Sequence, residues 1–272
     1  EESGLVRLSG FGETGPGGRA PQLYRINPAA GYAAAVDVRP GRARVRIADI
    51  AGSVVMECVE ESDRAANGPE SAAAIVRSCC DRAGLSPAQL DAIVVSVPGS
   101  YDIATDTLSY VDHLPRWQHA SVGAELRMLF PDASVAIEND VNLAAIAERH
   151  AARGESESFF LFWLDDGVGG AIMIDGALHR GSRGAAGEAA FLLIPGAVFD
   201  AESRTDGALE RIVGYPALRA RAAEAGLEAA TAPEALRALL DDPTAAPAVA
   251  ELCHHYACAI VSVIAVIDPA RI

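Results

Sequence analysis

The sequence predicts an α/β protein built from two lobes. Strand-like segments dominate residues 33–97, where three strands, a helix and one continuous apolar strand follow one another. Abundant alanine and apolar residues at helical spacing dominate residues 215–267 instead. With 272 residues, half of them apolar, the chain is long enough for one bilobal unit or two domains.

The first lobe is expected to contain a strand meander, a helix and a buried strand. Apolar segments at residues 33–38, 42–49 and 53–58 predict three strands joined by short turns. The amphipathic segment 71–83 predicts a helix that follows this meander. The continuous apolar run 92–97 suits a strand that is buried on both faces.

The second lobe is expected to begin at a helix. A strand at 134–137 leads into that helix, which runs from 141 to about 152. The predicted domains are therefore an arm at 1–30, a first lobe at 31–140 and a second lobe at 141–272. A small ligand is expected in the cleft between the lobes.

Composition restricts the partners and the location of the protein. The net charge is −15, from 37 acidic and 22 basic residues, and such an acidic surface repels nucleic acid. The five cysteines include no C-x-x-C pair, which is typical of reduced cysteines in a cytoplasmic protein. Apolar runs shorter than a membrane span are expected throughout, so no membrane partner is predicted.

A polar cluster, ENDVN, stands between a strand and a helix. It places Asn139 and Asp140 at the end of the strand and the start of the helix. Side chains of these types at a helix N-terminus either cap the helix or hold a polar ligand there. Both interpretations stay open from these residues alone.

A glycine-rich segment follows, from Asp165 to Glu188. Its sequence is DDGVGGAIMIDGALHRGSRGAAGE, and Asp175-Gly176 is a strong hairpin dipeptide. Glycines at this density allow positive φ angles or a close approach of backbone to a ligand. The alternative is a pair of strands joined by Asp-Gly with a loose loop behind them.

The two segments together resemble the ROK family of sugar kinases and sugar-responsive repressors. The resemblance implies the two-lobed ribonuclease-H-like fold of the actin, hexokinase and sugar kinase superfamily, whose core has the same β-β-β-α-β order. It also implies that Asn139 and Asp140 hold the pair whose aspartate contacts a sugar hydroxyl and serves as base in the kinases. Glu188 holds the glutamate that contacts sugar.

Three further residues match sugar-side positions of the family. Gly99 follows the proline that begins the sugar-side loop, and His113 stands where the family commonly has an asparagine that touches sugar. Glu210 matches another glutamate that contacts sugar. From the residues alone, His113 can equally be an exposed loop histidine and Glu210 an exposed helix residue, while Trp117 is expected to pack in the core.

The segments that match the phosphate loops of the kinases depart from the family pattern. The first, Asp37 to Gly41, carries Arg39 and Pro40 in place of a glycine-rich turn, and proline has no N–H to donate. The second has Asp165-Asp166 where the kinases have G-T, and two carboxylates repel a triphosphate unless Mg²⁺ bridges them. We therefore expect no nucleotide cofactor, and Asp140 would be catalytic only in a kinase.

The zinc site of the family is also missing from the sequence. Phe191 stands where the family has a zinc-binding histidine, and no cysteine follows between 195 and 210. Without imidazole or thiolate ligands at these positions, no metal is expected.

The N-terminal arm favours the regulator branch of the family. GLV followed by GGRAPQLYRINP resembles the segment that joins the winged-helix and sugar domains of ROK repressors, and the winged helix itself is absent from this sequence. The predicted function is effector sensing: a sugar or sugar derivative controls operator DNA binding by the attached winged helix, in a homodimer or dimer of dimers. The alternatives are an ATP-dependent sugar kinase and a degenerate dimerisation domain that binds no sugar. The final DPARI resembles the entry to a further strand, so an incomplete C-terminal end is expected.

Overall fold

The computed structural model gives the fold of the chain in two compact units, Glu1–Asp140 and Val141–Ile272. The residues that it describes are 4–13, 18, 20–61, 68–111, 113–152, 157–165 and 167–272. Asp166, which the sequence places in the second altered phosphate loop, lies outside these described residues.

The N-terminal segment forms a β-hairpin, which differs from the linker that its composition suggested. Strand β1 (Val6–Phe11) pairs antiparallel with β2 (Gln22–Ile26). Leu8 lies opposite Tyr24 in this pair. Both strands are almost wholly exposed, so cross-strand pairs rather than a core stabilise the hairpin.

The remaining elements of the first unit follow the predicted order. They are β3 (Tyr32–Arg39), β4 (Arg42–Asp49), β5 (Val54–Glu61), α1 (Pro69–Ala83), β6 (Leu90–Val97), β7 (Ser100–Asp102), β8 (Thr107–Ser109), α2 (Val122–Leu129), β9 (Ser134–Asn139) and α3 (Asp140–Ala151), which continues into the second unit. The meander, the helix and the buried strand are thereby confirmed.

Five of these strands form one sheet in the order β5-β4-β3-β6-β9. β4 is antiparallel to both of its neighbours, while β3, β6 and β9 run parallel. Alternate residues of β3 point into the core beneath α1 and α2, and Val36 and Val38 are fully buried. Each such side chain contributes about 1.5–3 kcal/mol by leaving water.

The parallel strands end at the same edge of the sheet. Asp37 of β3 lies beside Ser96 of β6, and Val97 of β6 lies beside Asn139 of β9. The polar residues that follow these strands are therefore brought together, as at the carboxyl ends of strands in other open α/β sheets.

The second unit combines a small sheet with a helical core. It contains β10 (Phe159–Leu164), β11 (Val168–Ile174), β12 (Ala177–His179), α4 (Ser203–Asp206), α5 (Glu210–Val213), α6 (Tyr215–Glu224), α7 (Ala232–Asp241) and α8 (Ala246–Ile267). The strands pair in the order β10-β11-β12. Asp175 and Gly176 have φ angles of 49° and 72°, so the Asp-Gly dipeptide forms the predicted hairpin turn.

Helix α8 corrects the expectation that every apolar run is shorter than a membrane span. With the preceding turn it spans Pro243–Ile267 and is long and apolar enough to cross a membrane by length and composition. Leu252, Ala259 and Val263 nevertheless lie in the core of the second unit. Packing in that core accounts for one face of the helix, whereas Val261 on the opposite face is 62% exposed.

Candidate functional site

Arg39 links two carboxylates at the edge where the parallel strands end. Its Nε lies 3.2 Å from Oδ1 of Asp37, two residues earlier on β3. Its Nη2 lies 3.2 Å from Oδ2 of Asp140, the first residue of α3. The Asp140 side chain is only 14% exposed and that of Arg39 is 35% exposed, so the carboxylate is sheltered while the guanidinium stays partly in water.

Asn139 is fixed beside this ion pair by the loop that follows β6. Its Nδ2 donates a hydrogen bond to the carbonyl oxygen of Gly99 at 3.2 Å, and its backbone N–H donates to Oε1 of Glu138 at 3.0 Å. A side chain at Gly99 would meet a methyl group of Val111 and lie 2.7 Å from the carbonyl oxygen of Ser109. Glycine is required there because the chain after β8 crosses directly over it.

The structure therefore brings together three of the residues predicted from sequence, Gly99, Asn139 and Asp140. It adds Asp37 and Arg39, which the sequence had suggested were remnants of a degraded turn. The ion pair gives Asp37 a role in holding Arg39 at the end of β3. A possible signal was the spacing, since residues i and i+2 of a strand share one face.

His113 lies in an exposed turn after β8. The turn is closed by a hydrogen bond from the N–H of Leu114 to the carbonyl oxygen of Val111, at 2.7 Å. Val111 is the residue that packs on Gly99, and His113 comes two residues after it in the chain. Trp117 is fully buried, which agrees with its predicted packing role.

Glu188 is positioned by glycines that pack against other protein backbone. Gly187 has a φ angle of 94°, and a side chain there would lie 2.7 Å from the carbonyl oxygen of Gly170 on β11. Glu188 directly precedes a short 3-10 helix (Ala189–Phe191), and its carbonyl oxygen accepts a hydrogen bond from the N–H of Phe191. Gly170 and Gly187 are thus explained by chain packing rather than by approach to a ligand.

Glu210 is neither exposed nor turned towards solvent. Its carboxylate accepts a hydrogen bond from the N–H of Val168 at the start of β11. Burial raises the pKa of Glu210, the bond from Val168 opposes that shift, and the charge of Asp206 adds to it. The alternative of an exposed helix residue is wrong, because this carboxylate anchors the glycine-rich hairpin to α5.

A separate cavity of about 330 Å³ lies within the second unit. Its walls come mainly from apolar side chains, and the polar groups at its edge include Asp165, Arg237 and Asp241. None of the six residues predicted to bind ligand lines it. A sugar needs hydrogen-bonding partners for its hydroxyls, so this cavity suits it less well than the edge of the first sheet.

Within the described part of the chain, no three His, Cys, Asp or Glu side chains form a group that could hold a metal ion. Phe191 lies half-buried in the short 3-10 helix after Glu188. A phenyl ring offers no lone pair to zinc. The absence of a structural metal stays a prediction.

Curated proteins similar to this chain include both repressors and kinases. The xylose repressor of Caldicellulosiruptor bescii is 24% identical over 194 residues, which are 69% of this chain and 47% of the repressor. The beta-glucoside kinase of Listeria innocua is 33% identical over 101 residues, which are 37% of this chain and 34% of the kinase. The chain spans about half the length of the repressor and a third of that of the kinase.

Solved structures of both kinds share the fold. The ROK hexokinase from Thermus thermophilus has a TM-score of 0.69 at 25% identity, over 88% of this chain and 79% of its own. A ROK family transcriptional regulator, a homologue of the E. coli MLC protein, has a TM-score of 0.77 at 18% identity, over 98% of this chain and 71% of its own. The predicted ribonuclease-H-like fold of the hexokinase and sugar kinase superfamily is thereby confirmed.

A family model provides the assignment. The model of the ROK family matches residues 36–272, which contain the whole first sheet after the first residues of β3 and all of the second unit. The chain belongs to the ROK family.

Proposed function

We propose that this chain is the effector-sensing part of a ROK-family transcriptional repressor. The observation that carries the proposal is the ion pair between Arg39 and Asp140. The residue that would be the base of a kinase is held by an arginine from the turn that would cradle phosphate. Asn139 and Asp140 then serve as binding groups for a sugar or sugar derivative.

The geometry of the β3–β4 turn argues against phosphoryl transfer. Catalysis of that reaction depends on positioning the phosphates and on stabilising their charge. An arginine could contribute such charge, but Arg39 is already engaged by the carboxylates of Asp37 and Asp140. Pro40, which follows it, has no N–H to offer a phosphate oxygen.

The comparisons support the regulator branch in two ways. The xylose repressors align over about 70% of the chain. The regulator structure also covers 98% of the chain, whereas the hexokinase structure covers 88%.

The chemistry of the site suits a polyhydroxylated ligand. A carboxylate accepts several hydrogen bonds, and an amide both donates and accepts, so Asp140 and Asn139 can each serve more than one hydroxyl. Effector binding that favours one of two conformations would change the affinity of an attached winged-helix domain for operator DNA. We propose a homodimer or dimer of dimers in the cytoplasm as the working form.

The second candidate is an ATP-dependent sugar kinase. It is favoured by the retained Asp140 and by the similarity to a beta-glucoside kinase over 101 residues. In that case Asp140 would take the proton of the sugar hydroxyl. The two candidates differ in whether Mg-ATP is bound and consumed.

The first prediction is that Asp140→Asn weakens sugar binding. The protein would be tested by thermal shift and calorimetry against neutral sugars, amino sugars and sugar phosphates, each with and without Mg-ATP. One class of sugar should raise the melting temperature regardless of ATP, and the variant should bind at least about tenfold more weakly because a charged acceptor is lost. Asp132→Asn, an exposed carboxylate of the same unit, is the matched control and should bind normally.

ADP production with a sugar would support the kinase instead. A variant Asp140→Asn that binds sugar like the unmodified protein would refute the proposed site. Absence of any shift with the whole panel would favour the dimerisation domain that binds no sugar.

A further inference from the structure

We propose that Arg39 is a positioning residue for sugar recognition: it holds Asp140 as a fixed, ionised acceptor for sugar hydroxyls. The proposal rests on the proposed function and deepens it. It gives the altered phosphate turn a role of its own.

The position of Arg39 makes this contact a product of the fold. Arg39 ends β3 and precedes Pro40 and Gly41, whose φ angle of 77° turns the chain into β4. Asp140 begins α3 directly after β9. Since β3 and β9 flank β6 in one sheet, the guanidinium needs to reach across the end of a single strand.

The two contacts of Arg39 are matched in length, at 3.2 Å to Asp37 and 3.2 Å to Asp140. Asp37 anchors the arginine on its own strand, which limits the positions that its long side chain can take. A guanidinium that is already ordered loses less conformational entropy when it holds a second group. Asp37 therefore steadies Arg39, and Arg39 orients the carboxylate of Asp140.

The charges around Asp140 come from three elements. Asp37 and Arg39 lie on β3, Glu138 and Asn139 end β9, and the N-terminus of α3 carries Asp140 itself. A neighbouring cation and a helix N-terminus both favour the ionised form of a carboxylate. Removing Arg39 would take away the cation that lies 3.2 Å from Asp140 and would make ionisation of this carboxyl less favourable.

The same charges indicate the class of the effector. The carboxylates of Asp37 and Asp140 contribute two negative charges, and Arg39 between them contributes one positive charge. The balance repels a phosphate group and accepts hydroxyls or a protonated amine. The structure therefore favours a neutral or amino sugar over a sugar phosphate.

The test measures sugar affinity between pH 5 and 8 for Arg39→Gln, Arg39→Lys and Arg42→Gln. The probe is the neutral or amino sugar found in the panel, alongside its phosphate ester. Arg42 is exposed in the same turn and provides the matched control. We expect Arg39→Gln to weaken binding by about tenfold and to move the loss of affinity on acidification to higher pH. Arg39→Lys should recover part of both effects, and the phosphate ester should bind more weakly than the parent sugar.

A second measurement needs no ligand. The titration of the Asp140 carboxyl carbon is followed by ¹³C NMR in the unmodified protein and in Arg39→Gln, with Asp140→Asn used to assign the signal. The titration midpoint should be higher in Arg39→Gln. An unchanged midpoint overturns the inference, whatever the sugar panel shows.

The outcomes separate the two proposals. If Asp140→Asn loses sugar binding while Arg39→Gln keeps normal affinity and an unchanged pH profile, the role of Arg39 is refuted and the sensor function stands. If the unmodified protein binds no sugar of the panel, the proposed function fails and the role in recognition fails with it. A phosphate ester that binds more tightly than its parent sugar overturns the inferred class of effector.

Discussion

At the scale of single residues, two carboxylates of this chain differ in the group that binds them. Asp140 is held by an arginine, whereas Glu210 is held by a backbone N–H inside the second unit. Family resemblance had grouped both as sugar contacts. The structure gives Glu210 a partner within the chain that explains its presence without a ligand.

The second prediction concerns the bond between Glu210 and Val168. Glu210→Ala leaves the N–H of Val168 buried without its partner, which should lower the free energy of unfolding by about 1–3 kcal/mol. Glu210→Gln keeps an acceptor oxygen and should lose less. Urea unfolding at neutral pH compares the two variants, and equal losses would show that the acceptor itself does not matter.

The pKa of Glu210 adds a dependence on pH to the same pair of variants. Because burial raises this pKa in the folded state, the folded protein binds the proton more tightly than the unfolded chain. The contribution of Glu210 is fully present below its unfolded pKa and is lost as pH rises through its higher folded pKa. The stability of the unmodified protein relative to Glu210→Gln should therefore fall across that window, and a constant difference would contradict the raised pKa.

At the scale of elements, α2 takes its N-terminal cap from another part of the chain. Ser121, which precedes the helix, makes no side-chain cap. The carboxylate of Asp106, in the β7–β8 turn, accepts hydrogen bonds from the backbone N–H groups of Gly123 at 2.6 Å and Ala124 at 2.9 Å. Tyr101 also donates to it, at 2.8 Å, so one side chain joins a hairpin to a helix.

The third prediction is that Asp106→Asn and Asp106→Ala weaken this junction to different degrees. Asp106 has a φ angle of 54°, which asparagine tolerates better than alanine. Asparagine retains one acceptor oxygen for the backbone N–H groups. The free energy of unfolding should therefore fall by about 0.5–2 kcal/mol in the alanine variant and by less in the asparagine variant. Chemical denaturation at pH 7 measures both, and an asparagine variant less stable than the alanine variant would contradict the capping role.

Lowering the pH should reduce the contribution of Asp106 to the stability of the fold. Burial alone would raise the pKa of Asp106, but hydrogen bonds from Tyr101, Gly123 and Ala124 and the charge of Arg127 together hold it below its ordinary value. A lowered folded pKa gives stability that is present above the unfolded pKa and lost as pH falls through the folded one. The difference in the free energy of unfolding between the unmodified protein and Asp106→Asn should therefore become smaller on acidification.

The elements also show what sequence could and could not predict. The strand at β6 and the helix at α1 were found because periodicity and apolar runs are local properties of the chain. The hairpin of β1 and β2 was missed, since its short strands carry little core and stand among glycine and proline. The ion pair of Arg39 with Asp140 was also missed, because it depends on the order of strands in the sheet, which no local pattern contains.

At the scale of the whole molecule, the retained and altered parts of the family pattern fall at one place. The edge where β3, β6 and β9 end carries Gly99, Asn139 and Asp140, which the family resemblance places on the sugar side. The same edge carries Arg39 and Pro40 where a phosphate turn would stand. Under the proposed function, one half of a bisubstrate site is lost and the other is kept, which the sheet allows because the two halves come from different strand ends.

The last prediction follows from the charge of the whole chain. A net charge of −15 repels the phosphates of DNA unless a local basic surface of the chain faces them. We expect this chain to show no binding to a labelled random duplex by fluorescence anisotropy at about 0.15 M salt, with or without the effector sugar. Lowering the salt to about 0.02 M tests the reason, because a hidden basic surface would bind more tightly there. Binding that strengthens as salt is removed would show that the chain itself contacts DNA, whereas its absence at both salt concentrations would agree with the proposal that an attached domain recognises the operator.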